Sequence, residues 1–157
     1  MNIKLLQIGQ TKQNELDSLI QDYEKRLSHF IKFESLSLPD IKKTKNLSKK
    51  QQKGKEAELF LKHIKPSDWI VLLDEKGKSL TSRGFAEYYQ KKMNAGVKTL
   101  SFLIGGPYGF SQDIYKRANQ KIALSSMTFT HEMIRLIYME QTYRAFSIIH
   151  NLPYHHD

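Results

Sequence analysis

Cysteine is absent from this chain of 157 residues. Its absence removes disulfides, thiolate nucleophiles and every cysteine-held zinc or iron–sulfur centre. Among enzymes that modify RNA, it excludes those that attack a pyrimidine ring carbon through a cysteine adduct. Those that alkylate an atom already nucleophilic, such as a ring nitrogen or a ribose oxygen, remain. Long apolar runs are missing as well: the longest, Trp69 to Leu73, falls far short of the about 20 residues that a membrane span needs. The opening segment Met1 to Gln7 has neither a signal-peptide core nor a small-residue cleavage site, so a cytoplasmic location is expected. Acids are the remaining shortage, with 16 against 25 lysines and arginines and a net charge of +9.

That imbalance, with a pI near 9.6, favours a polyanionic partner, nucleic acid first. Most of it is local, because Lys42, Lys43, Lys45, Lys49, Lys50, Lys53 and Lys55 follow one another with no acid between them. Lys49, Lys50 and Lys53 are the candidates for RNA phosphates; a solvated, partly mobile basic stretch is the plainer alternative. A DNA-binding domain is disfavoured, since neither a helix-turn-helix nor a zinc signature is present.

Apolar periodicity predicts strands at Ile3 to Ile8, Phe33 to Leu38, Trp69 to Leu73, Leu100 to Ile104 and Ile122 to Leu124. Helices are predicted after Thr11, over Glu56 to Ile64, from about Ser82 to Asn94, from Ser111 to about Asn119, and over Glu132 to Ile149. Trp69 to Leu73 and Leu100 to Ile104 are apolar on both faces, as buried parallel strands are. The alternation gives one α/β domain over residues 1–157, its sheet mostly parallel with helices on both faces. The final helix is apolar around most of its circumference, which calls for cover from a second copy of the chain.

In open α/β sheets ligands gather at the carboxyl ends of strands. Three such ends draw attention: Asp74 to Lys78, the glycine cluster Gly105-Gly106-Pro107-Tyr108-Gly109, and Ser125 to Phe129. The glycine cluster permits close backbone approach to a ligand, but it is neither a dinucleotide fingerprint nor a phosphate loop. His131-Glu132-Met133-Ile134-Arg135 lacks the second histidine of a zinc-protease helix, so no metal site is expected there. Glu140 and Arg144 are spaced as a structural ion pair.

Together, Ile8-Gly9, Tyr23-Glu24-Lys25-Arg26, Leu73-Asp74 with Gly77-Lys78, Leu103-Ile104-Gly105-Gly106-Pro107-x-Gly109, Ser125-x-Met127-Thr128-Phe129-x-His131, Glu140-Gln141-x-Tyr143-Arg144-Ala145 and Pro153-Tyr154-His155 resemble the ribosomal RNA large subunit methyltransferase H family. The blocks run end to end in order. This resemblance implies a SPOUT-class α/β fold with a carboxyl-terminal trefoil knot, a homodimer, and S-adenosylmethionine as the methyl donor. It implies methylation at N3 of a pseudouridine in the helix 69 loop of 23S ribosomal RNA, on the ribosome. Cofactor contacts are then expected at Leu73, Gly105, Leu124, Ser125, Ser126, Met127, Thr128 and Phe129. The tail of one subunit would reach the other's knot, making His155 and Tyr154 the catalytic candidates, with His131, Arg135 and Arg144 as further RNA contacts. Where relatives commonly carry a basic residue after Tyr-His, this chain has His156, which makes an RNA contact there pH-dependent or absent. The alternative is a non-catalytic ribosome-binding protein on the same scaffold.

Overall fold

The computed structural model describes residues 1–156. Five strands, β1 (Asn2–Ile8), β2 (Lys32–Leu38), β3 (Trp69–Ser79), β4 (Thr99–Ile104) and β5 (Gln120–Ala123), form one sheet in the order β2-β1-β4-β3-β5. Every neighbouring pair is parallel. The helices between them are α1 (Asn14–Leu27), α2 (Lys49–His63), α3 (Ser82–Asn94), α4 (Gln112–Arg117) and α5 (His131–Ile149).

Alternation along each strand divides the apolar side chains between two cores. Leu5, Val71 and Phe102 point into one with α1, α3 and α5; Leu6, Leu72 and Leu103 point into the other with α2 and α4. Helices therefore cover both faces, as the sequence predicts. The first core carries a buried hydroxyl chain, in which Tyr89 meets Thr142 at 3.1 Å and Tyr138 at 3.3 Å. Burial raises both phenols well above their ordinary range, so they stay neutral and tie α3 to α5.

Two boundaries depart from the sequence reading. The second helix starts at Lys49 rather than Glu56, because Ser48 and Gln51 close a capping box: the Ser48 hydroxyl accepts the Gln51 N–H and the Gln51 side chain accepts the Ser48 N–H. Lys49, Lys50, Lys53 and Lys55 consequently lie on α2, while Lys42, Lys43 and Lys45 stay outside it. The third strand runs on past Leu73 to Ser79, leaving its ladder with β5 after Leu73 and rejoining it at Lys78. Gly77 sits on that excursion, where a Cβ would lie 2.5 Å from the Ile122 backbone nitrogen. No side chain fits there.

Candidate active site

The carboxyl ends of β4 and β5, with the stretch 73–76 where β3 between them leaves its ladder with β5, open into a cleft of about 690 Å³. Leu73 and Asp74 form the β3 wall. Asp74 accepts the Tyr115 hydroxyl from α4 at 2.5 Å and, through its other oxygen, the Lys76 N–H at 2.8 Å. Burial, reinforced by that carboxylate, pushes the Tyr115 phenol up to about 12, so it remains a proton donor at neutral pH.

The β4 wall is the turn 105–109, closed by the Gly109 N–H on the Gly106 carbonyl at 3.0 Å, with Gly109 at φ +73°. A Cβ at Gly105 would stand 3.3 Å from the Phe110 ring, so the crowding there comes from the protein itself as well as from any ligand. A Cβ at Gly106 would lie 2.5 Å from the Glu56 carboxylate, which rises from α2 beneath the turn and is 3% exposed.

Beyond β5, Leu124, Ser125, Met127, Thr128 and Phe129 complete the wall, and Ser125 accepts the Met127 N–H at 2.9 Å. Ser126, expected with them, is exposed and not on the wall. His131 borders the cleft at the start of α5, whose first turn is capped by the Thr130 hydroxyl. From α2, Lys49 and Lys53, one turn apart, line the same opening with Lys76; the Lys49 ammonium lies 5.3 Å from the Tyr108 ring centre. Lys50 is exposed and off the wall. Lys49, Lys53 and Lys76 share the lining with two carboxylates, Asp74 and Glu75.

The remaining candidates lie elsewhere. Tyr154 and His155 fold back on α1 and α5: the Tyr154 hydroxyl is 3.2 Å from both the Tyr23 hydroxyl and Glu140 Oε1, and His155 Nδ1 is 3.4 Å from Arg144. Arg144 pairs with Glu140 through Nε at 3.0 Å and lies over the Tyr154 ring at 4.8 Å. Burial and this neighbourhood, led by the Tyr23 hydroxyl, push the Tyr154 phenol well up. Helical rise puts Arg144 roughly 20 Å along α5 from His131, so within one chain the tail does not meet the cleft.

Arg135 corrects the sequence reading. It was expected at RNA, but it is 1% exposed and donates to the Ile8 carbonyl at 2.6 Å and to the Thr11 hydroxyl at 3.1 Å. It joins α5 to the end of β1. Glu56, Tyr115 and Lys76 were missed among the site residues; the one signal for Glu56 is that it is the first carboxylate after the lysine run.

A family model described as "Predicted SPOUT methyltransferase" matches residues 1–155. The chain is 58% identical over 156 residues, 99% of each chain, to a protein of Christiangramia forsetii named "Ribosomal RNA large subunit methyltransferase H". A protein of the same name from Flavobacterium johnsoniae is also 58% identical over 99% of each chain. One from Parabacteroides distasonis is 54% identical over the full length of both.

Proposed function

The chain belongs to the SPOUT methyltransferase family, and on that premise we propose that it is a single-domain cytoplasmic enzyme that methylates large-subunit ribosomal RNA with S-adenosylmethionine. The acceptor is N3 of a pseudouridine in the helix 69 loop, met on the ribosome. The observation that carries this reading is the convergence of Leu73, Gly105 and residues 124, 125 and 127–129 on one cleft at the carboxyl ends of β4 and β5 and the stretch of β3 between them. The cleft fits such a donor: its volume suits a ligand of nucleoside-plus-amino-acid size, and apolar side chains alternate with accessible backbone. When bound, the donor supplies a methyl group on a sulfonium sulfur.

The chain's own task is to hold, orient and neutralise. Backbone groups at 105–109, 124, 125 and 127–129 would hold the donor and leave its methyl group open to the acceptor nitrogen. The donor would supply the methyl group to N3, and the imide proton of the acceptor would leave to a base. His155 of a second copy, or a water beside it, takes that proton, while its Tyr154 positions the acceptor. Lys49 and Lys53 take flanking phosphates at the mouth.

A two-fold dimer makes this arrangement possible. Met133 and Ile137, one turn apart on α5, are only half-buried, and Met127 next to the cleft is 73% exposed; together they favour a second copy as cover.

Titration with S-adenosylmethionine or S-adenosylhomocysteine, without metal, should raise the melting temperature with the logarithm of ligand excess. Neither a shift nor calorimetric heat at millimolar ligand would overturn the enzymatic reading and leave the non-catalytic ribosome-binding one.

A further inference from the structure

Glu56 lies under the cofactor turn, and its chemistry is unlike that of its surroundings. It follows seven lysines, yet it is turned inward, with an exposure of 3%. Its carboxylate accepts the Gln52 amide at 3.0 Å from the preceding turn of α2 and lies against Gly106 of the β4 turn, whose backbone favours its charged form. The space a side chain at Gly106 would need is filled by the two carboxylate oxygens, 2.5 and 2.6 Å from the ideal Cβ. The negative charge of Asp40, beyond β2, is felt by Glu56 and also by Arg135 on α5. Lys49, Lys53 and Glu56 succeed one another at helical spacing, so a single helix carries both lysines of the mouth and the group under the turn.

We propose that Glu56 is a positioning residue for methyl-donor binding: its carboxylate pins the Gly106 amide and thereby fixes the turn 105–109 in its ligand-receiving shape. The proposal rests on the cofactor reading above and goes beyond it, assigning a role to a residue that does not touch the ligand. A buried carboxylate is costly unless hydrogen-bonded, and this one is placed so that the turn supplies the bond. Burial raises the Glu56 carboxyl above its ordinary range, ahead of the two hydrogen bonds that lower it. Because the folded value exceeds the unfolded one, the group favours folding when protonated and weighs against it as pH rises through that folded value. Binding has the opposite need, since the charged form holds the amide most strongly. Stability and affinity are thus expected to move in opposite directions with the charge at this position.

The test uses the full chain and its Glu56→Ala and Glu56→Gln variants, with S-adenosylhomocysteine as the probe. Calorimetric Kd should rise about tenfold in Glu56→Ala and at most about threefold in Glu56→Gln, which keeps an acceptor for the amide. Wild-type affinity should weaken as pH falls through the range in which Glu56, its carboxyl raised by burial, takes up its proton, and that part of the profile should vanish in Glu56→Gln. At pH 8 Glu56→Gln should melt above wild type while binding less well, a combination that a purely structural role does not produce. Hydrogen exchange without ligand gives an independent reading: the peptide 105–110 should exchange faster in Glu56→Ala and recover in Glu56→Gln. Unchanged Kd in both variants, or unchanged exchange of that peptide, overturns the proposal. If the wild-type chain binds no probe, the cofactor reading fails, and the exchange experiment alone decides whether Glu56 holds the turn.

Discussion

Arg135 shows how far one side chain can stand from what its sequence neighbours imply. Expected at RNA from the resemblance, it instead buries its guanidinium, and burial lowers its pKa below the ordinary arginine value without discharging it. Arg135→Ala leaves the Ile8 carbonyl without its charged donor and opens a void, at a cost of about 3 kcal/mol. A calorimetric scan should show the melting temperature lower by roughly 6–12 °C. An RNA contact would behave otherwise: melting unchanged, RNA affinity reduced. The cleft was legible at this scale wherever backbone matters more than side chains, as at Leu73, Gly105 and residues 124, 125 and 127–129, though Ser126 lies off it. Glu56 and Arg135 were not, because burial of a charge depends on a partner from a distant strand and leaves no local pattern.

At the scale of elements, the lysine run changes meaning once α2 is seen to begin at Lys49. Its first turn holds no acid and opposes the helix dipole with like charge, a start sustained by the Ser48 and Gln51 capping box. Seven loop lysines would be interchangeable; helical lysines are not. Replacing Lys49 and Lys53 by glutamine should flatten the logarithmic salt dependence of ribosome binding by roughly 0.7–0.9 for each phosphate no longer neutralised. Replacing Lys62 and His63 at the far end of the same helix should leave the slope unchanged. Equal slopes in both variants would return the whole run to plain solvation. The capping box was readable as Ser48-x-x-Gln51, yet the charge run concealed it. The extension of β3 past Leu73 was unreadable, since Asp74 to Ser79 has no apolar alternation and is kept in the sheet by pairing with β5.

For the whole molecule, the five-stranded parallel sheet with helices on both faces was legible from its apolar strands, while the pairing order was not, because only contacts between distant segments set it. The separation of tail and cleft bears on the proposed dimer. Mixing a Thr128→Trp subunit, its cleft filled from an exposed position, with a subunit truncated before Pro153 should restore about a quarter of wild-type methylation if pairing is random and each centre needs both chains. Dead mixtures, with exchange of subunits verified by mass, would place every centre within one chain. The strand order has a consequence for biosynthesis. Strand β1 is flanked by β2 on one side and by β4 on the other, and Asn2 pairs with Thr99. A nascent chain emerges amino end first at about 5–20 residues per second, so β1 waits roughly 5–20 s with one edge open before β4 is made. During that interval its apolar ladder is a template for any passing strand. The cleft walls then arrive in sequence, β3, β4 and β5, so the cleft takes shape only after all three strands have been made.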